Sequence, residues 1–277
     1  MATDILVQLI SPDEERHQRP LAPEEQRLTV PEPATHREAT PAQASATLFP
    51  WQAPYFILAI SIVEVAVFIW GGPRLQMSLV YDPHHREELW RFLTYMLLHS
   101  GQLHLALNIV IQCLLATPLE HEQGHLRTGI VYLGGGIGGS LGTSMLEPDL
   151  YVVGASAGVY ALLISQLAHI LLNFRAIRYK MYRLVAVLVL ALTDIAFSLH
   201  HHFSFGNVCP RVGWAAHCSG AIAGLLLGLV FFKGASKPAD GPWVRVVTWT
   251  AAAMLAAGIT AAVVCNVFLP QSPMHSE

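Results

Sequence analysis

An all-α, polytopic membrane fold is predicted for this chain by three observations. Hydrophobic residues make up 53% of its 277 positions and charged residues only 13%, against about 25% charged in soluble domains. Mean hydropathy is +0.45. The apolar residues gather into runs near membrane length, and none of the runs alternates as a strand would.

The elements follow in order. Residues 1–50 are rich in proline and acidic side chains and poor in aromatics. Such a segment cannot bury a core and is expected to be a disordered cytosolic tail. From Trp51 onward, apolar stretches run over 53–70, 102–119, 128–145, 152–173, 182–199, 212–232 and 246–269. A spanning helix needs about 20 mainly apolar residues. Backbone groups in hydrocarbon must bond within their own segment, so each stretch is read as a helix. Residues 51–232 form a six-helix core, and 233–277 supply a linker, a seventh spanning helix and a short tail. The link at 71–101 is long enough to have structure of its own.

Charge placement sets orientation. A cytosolic N-terminus puts twelve of the sixteen lysines and arginines inside, leaving only Arg74, Arg86, Arg91 and Arg211 outside. With seven spans the C-terminus lies on the luminal or extracellular side. No basic cluster points to nucleic acid. The four cysteines are scattered without a CxxC, which argues against a disulfide framework or zinc knuckle. Neither a cofactor nor a metal is expected, and the lipid bilayer is the solvent.

Two of the runs carry chemistry. The fourth holds Gly154-Ala155-Ser156-Ala157-Gly158 and the sixth holds Ala216-His217-Cys218-Ser219-Gly220. Ionisable groups in spans are functional candidates by default. In the predicted topology, spans two, four and six all descend from the outside. His104 and Asn108, Ser156 and His217 each lie a few residues into their own span. At 1.5 Å per residue they share a depth of about 6–10 Å. Small-residue faces on spans four and six would let the helices approach closely. The expected chemistry is a serine–histidine dyad, in which His217 takes the proton of Ser156 as the hydroxyl attacks a peptide carbonyl. Asn108, His104 and backbone N–H groups near Ser156 would stabilise the oxyanion. Glu64 and Asp194 lie nearer mid-membrane and are read as structural, so no acid completes a triad.

Two more literal signatures are set aside. Gly154–Gly158 spells G-x-S-x-G, but a nucleophile elbow needs a strand before its serine. His121-Glu122-Gln123-Gly124-His125 spells a zinc H-E-x-x-H, but it falls between spans beside Pro118 and Gly124, where no third ligand is evident. The His200–His202 triplet reads as an interfacial cluster.

Taken together, these residues resemble the rhomboid family of intramembrane serine proteases over about residues 51–232. Trp90-Arg91 looks like the family's WR motif. His99, His104 and Asn108 resemble its spaced histidines and asparagine. Gly154-Ala155-Ser156 is similar to its GxS motif, with Tyr160 one turn on against the catalytic histidine, and Ala216-His217 with Gly220 to its AHxxG. Glu120 and Gly124 match its GxxxExxxG, with Ala116 in place of the first glycine. The resemblance implies catalytic Ser156 and His217, oxyanion support from Asn108 and His104, and supporting roles for Tyr160, Gly154 and His99.

A seventh helix after the core resembles the 6+1 secretase-type members. That implies an intramembrane serine endopeptidase of the Golgi or plasma membrane. It would cut single-span membrane proteins near the outer end of their helix and release ectodomains such as EGF-type growth-factor precursors. The alternatives are a catalytically silent, client-binding relative, a zinc intramembrane protease using His121 and His125, and a transporter. The last would need polar groups along a path through both leaflets.

Overall fold

The computed structural model describes residues 53–174, 177, 179–205, 213–234 and 241–268, without the side chains of 194, 195 and 197–205. The 1–50 tail, the Asp194 side chain and the His200–His202 cluster therefore lie outside what is described. The helices are α1 (Tyr55–Trp70), α2 (Pro73–Leu79), α3 (Arg91–Thr94, running on as a 3-10 turn to Leu97), α4 (Gln102–Gln123), α5 (His125–Leu146), α6 (Ser156–Leu172), α7 (Lys180–Phe205), α8 (Trp214–Phe231) and α9 (Pro242–Phe268). The only β pairing among the described residues is an isolated bridge between Tyr81 and Val152. By length and composition α4, α8 and α9 can each cross a membrane, while α1 and α6 are apolar but shorter. The chain is an all-α polytopic membrane protein.

Among the boundaries that differ from the sequence expectation, two have a clear local reason. The second run was expected to end near residue 119, but α4 continues through Pro118 to Gln123 and stops at Gly124, whose φ is 83°. The fourth was expected to begin at 152, but α6 starts at Ser156. Val152 instead exchanges backbone hydrogen bonds with Tyr81 of the first link, both at 3.2 Å.

The bundle centres on α5, α6 and α8, which small residues bring close together. A methyl group at Gly220 would lie 2.5 Å from the Ala157 carbonyl oxygen, and one at Gly224 would strike the backbone of Ala161. The glycine-rich face of α5 completes the set, with Gly139 against Ala157 and Gly142 against Ser219. Helix backbones this near gain dispersion contacts that lipid tails cannot match.

Two buried carboxylates are paired across helices, as an apolar interior requires. Glu64 is fully buried. Its carboxylate accepts from Tyr132 Oη at 2.8 Å and from Gln112 Nε2 at 2.9 Å, tying α1, α4 and α5 together. This fits the structural reading of Glu64. Glu120, also fully buried, accepts the backbone N–H groups of Phe56 and Ile57 at 3.0 and 2.8 Å. It thereby caps the start of α1 from another helix.

The long link folds back on itself as a hairpin. Arg91 donates to the carbonyls of Met77 and Val80 at 2.6 and 2.9 Å and pairs with Glu88. Trp90 Nε1 donates to the Ser78 carbonyl and Thr94 Oγ1 to that of Leu79. In this way the Trp90-Arg91 pair holds α2 against α3. Tyr95 Oη reaches the Gly136 carbonyl at 2.7 Å, fixing the hairpin to α5.

Candidate active site

The segment ahead of Ser156 sets its position. Gly154 has φ 115°, a conformation that L side chains rarely adopt. Its N–H donates to the Tyr95 carbonyl at 3.1 Å, and a methyl group there would lie 2.7 Å from His104 Cε1. Position 154 therefore needs glycine twice over, for its torsion and for the imidazole packed on it. Ser156 then opens α6 as its first residue. The leading N–H groups of a helix have no acceptor within it and carry its positive dipole end. The hydroxyl thus stands beside backbone donors.

His217 is the fourth residue of α8. Its Nε2 lies 2.9 Å from Ser156 Oγ, a hydrogen bond between α8 and α6. The Tyr160 ring stacks on the imidazole with centroids 4.4 Å apart and planes 18° from parallel. Tyr160 thus bounds the ring on one face and limits its rotation. Ser156, Tyr160 and His217 are all half-buried.

On α4, His104 Nδ1 lies 3.0 Å from Ser100 Oγ, which turns the rest of its ring towards Gly154. Asn108 is buried and its Nδ2 donates to the His104 carbonyl at 2.9 Å. That bond fastens the asparagine to its own helix. His99 makes an edge-on contact with His104, centroids 5.2 Å apart. The structure thus gathers Ser156, His217, Tyr160, Gly154, His104 and His99 around one end of the bundle, with Asn108 one turn behind His104. Three further contributors were missed from sequence. Tyr95 acts through its backbone carbonyl, for which residue type gives no signal. Ser100 stands four residues before His104, a spacing that could have drawn notice. Glu147 accepts the N–H of Ala215 at 3.1 Å, a contact that only tertiary structure reveals.

The zinc-like string is arranged differently. Gly124 breaks the chain between α4 and α5, so His121 and His125 fall on separate helices. Glu122 points at α6 and α7. It is paired with Arg183 at 2.5 and 2.7 Å and lies 2.8 Å from His169 Nε2. His125 Nδ1 lies 3.4 Å from Glu120. Among the described residues no three His, Cys, Asp or Glu side chains cluster to hold a metal ion.

Fold and site define a polytopic membrane protein with a serine–histidine pair near one end of its helix bundle. The family model described as the Rhomboid domain matches residues 86–234, more than half of the chain. Rhomboid-related protein 2 of Mus musculus is 36% identical over 233 residues, covering 78% of this chain and 76% of that protein. Rhomboid-related protein 3 of Homo sapiens is 34% identical over 232 residues, covering 78% of this chain and 57% of that one. A Caenorhabditis elegans relative named inactive rhomboid-related protein 2 is 32% identical over 197 residues, covering 67% of this chain and 56% of that protein. The chain belongs to the rhomboid family.

Proposed function

We propose that this protein is an active intramembrane serine endopeptidase whose catalytic pair is Ser156 and His217. The observation that carries the reading is the 2.9 Å hydrogen bond between His217 Nε2 and Ser156 Oγ. A silent relative has no need of that bond. In the proposed mechanism His217 removes the hydroxyl proton as Ser156 Oγ attacks the scissile carbonyl carbon. The carbonyl oxygen becomes an oxyanion beside the first N–H groups of α6, with the His104 ring over Gly154 as a further donor. Collapse of the intermediate breaks the C–N bond, and the proton held on His217 passes to the leaving amine. Water, deprotonated by the same imidazole, then cleaves the acyl ester and restores the serine. Asn108 is the other side-chain donor to the oxyanion, since its Nδ2 keeps a second hydrogen beside the one given to the His104 carbonyl. Tyr160 and His99 pack the two imidazoles in place.

The substrates in this reading are single-span membrane proteins, cut near the outer end of their helix to release ectodomains such as EGF-type growth-factor precursors. The six-helix core spans 51–232 and α9 is the seventh crossing, in a membrane of the secretory pathway, with the N-terminus cytosolic and the C-terminus luminal. Purified protein with a single-span substrate tests this. Cleavage by wild type is expected to disappear in Ser156→Ala and His217→Ala and to withstand zinc chelation. Binding of the substrate without cleavage by wild type would favour the silent, client-holding alternative. Loss of cleavage on chelation would favour the zinc one.

A further inference from the structure

The helix that carries His217 begins without a cap of its own. Its N-cap is Gly213, which has no side chain to accept from the first turn, and the imidazole follows only four residues later. Ala215, within that first turn, is fully buried, so water cannot serve its N–H. The acceptor comes from another element: Glu147 Oε2, 3.1 Å away. Glu147 is held on both sides, its N–H on the Thr143 carbonyl at 2.8 Å and its carbonyl on the Leu150 N–H at 3.0 Å. It follows the last residue of α5 and opens the link 147–155 that delivers Ser156. One carboxylate therefore joins the segment leading to the serine to the first turn of the histidine's helix. Glu120 caps α1 in the same manner from α4, so among the described residues a carboxylate from another element caps a helix start at both places. The α5 end is braced in turn by α9, where Asn266 Nδ2 donates to Ser144 Oγ at 2.9 Å.

We propose that Glu147 is a positioning residue for catalysis, its carboxylate locking the start of α8 so that His217 stays in register with Ser156. This rests on the dyad reading above. Glu147 acts through the backbone and not on substrate, so its effect falls on turnover. The cap acts as an acceptor, and an amide oxygen at the same reach can replace it.

The test compares full-length wild type, Glu147→Ala and Glu147→Gln in bilayers, with rates referred to the folded fraction. Glu147→Ala is expected to lower kcat about tenfold, equal to about 1.4 kcal/mol, with KM unchanged. Glu147→Gln is expected to restore kcat to within about twofold. Amide exchange at 214–218 should quicken in Glu147→Ala and not in Glu147→Gln. Wild-type kcat in Glu147→Ala overturns the proposal, as does an equal loss in both variants or a loss that vanishes on normalisation. Should wild type show no Ser156-dependent cleavage, the dyad reading fails by itself. Amide exchange then still decides the cap, and unchanged exchange in Glu147→Ala overturns it.

Discussion

Replacing Gly220 by alanine tests how near α8 must come to α6 for the pair to work. The added methyl carbon would sit 2.5 Å from the Ala157 carbonyl oxygen and 3.0 Å from its carbon. Carbon and carbonyl oxygen approach to about 3.3 Å without strain, so the helices must part by about 0.8 Å. The obstructing atoms are backbone, and no side chain can rotate away to absorb the shift. His217 stands less than one turn before Gly220 and Ser156 immediately precedes Ala157, so the separation falls on the Ser156–His217 hydrogen bond. Added to the present 2.9 Å, it stretches that contact to about 3.7 Å, beyond hydrogen-bonding reach. A misplacement near 1 Å costs about 10²-fold in rate, equal to about 2.7 kcal/mol of barrier. Overpacking itself should cost about 1–3 kcal/mol of stability. Steady-state cleavage of a single-span substrate, normalised to folded enzyme, reads the rate, and unfolding in detergent reads the stability. Gly258→Ala on α9 is the control, since its new methyl meets nothing within 4 Å, and activity there should not change. Gly220→Ala with wild-type turnover would refute the reasoning, because the close approach would then be packing without catalytic consequence.

Other expectations follow from named contacts. Tyr132→Phe removes the hydroxyl shared by Glu64 at 2.8 Å and Gln112 at 3.0 Å. It should cost about 1–3 kcal/mol in unfolding measurements, with kcat per folded molecule unchanged. Arg91→Lys should loosen the 71–101 hairpin nearly as much as Arg91→Ala, because one ammonium cannot reproduce the guanidinium's fixed fork to Met77, Val80 and Glu88. Limited proteolysis within the link reads this as faster cutting in both. On the same link, Asp82 and His85 form an ion pair at 2.9 Å. Burial raises the Asp82 carboxyl, but the His84 N–H and His85 outweigh it and hold the group below its ordinary range. The bond to Asp82 raises His85 above its ordinary value. The Asp82 contribution is present above the ordinary carboxylate pKa, about 3.9, and is lost as pH falls through its lowered folded value. The His85 contribution is full below about 6.5 and is lost as pH rises through its raised folded value. Protection of the link against amide exchange should therefore be greatest between these limits, and His85→Ala should remove the loss on the alkaline side.

Much of this arrangement was legible in the sequence because membrane helices must satisfy their own backbone. Apolar runs therefore map onto helices with little tertiary override. The Ser156–His217 contact was legible for a related reason, since polar side chains in such runs are rare enough to stand out. Ser156 and His217 could be paired by depth before any contact was seen. What stayed hidden depends on contacts between distant backbones. The start of α6 at Ser156, and not at 152, follows from the Tyr81–Val152 bridge, and nothing in residues 150–156 announces it. Nothing in the sequence marks Glu147 as part of this arrangement. Its role as the cap of α8 depends on Gly213 offering no side chain and on Ala215 being buried. Glu122, conspicuous as the centre of a metal motif, is a tether to His169 and Arg183. On the third run, Gly135 and Gly139 meet α6 while Gly134, Gly138 and Gly142 meet α8, contacts that the composition of the run does not assign.

Covalent labelling of Ser156 by a fluorophosphonate tests the central claim most directly, because it needs the nucleophile and its base but no knowledge of the substrate. Wild-type protein in bilayers should carry the phosphonyl group on Ser156, located by mass spectrometry of the digested chain. His217→Ala should label at least about 10²-fold more slowly, as expected for loss of a general base. Labelling of Ser156 at the same rate without His217, or no adduct at Ser156 in folded wild type, would contradict a working Ser156–His217 pair.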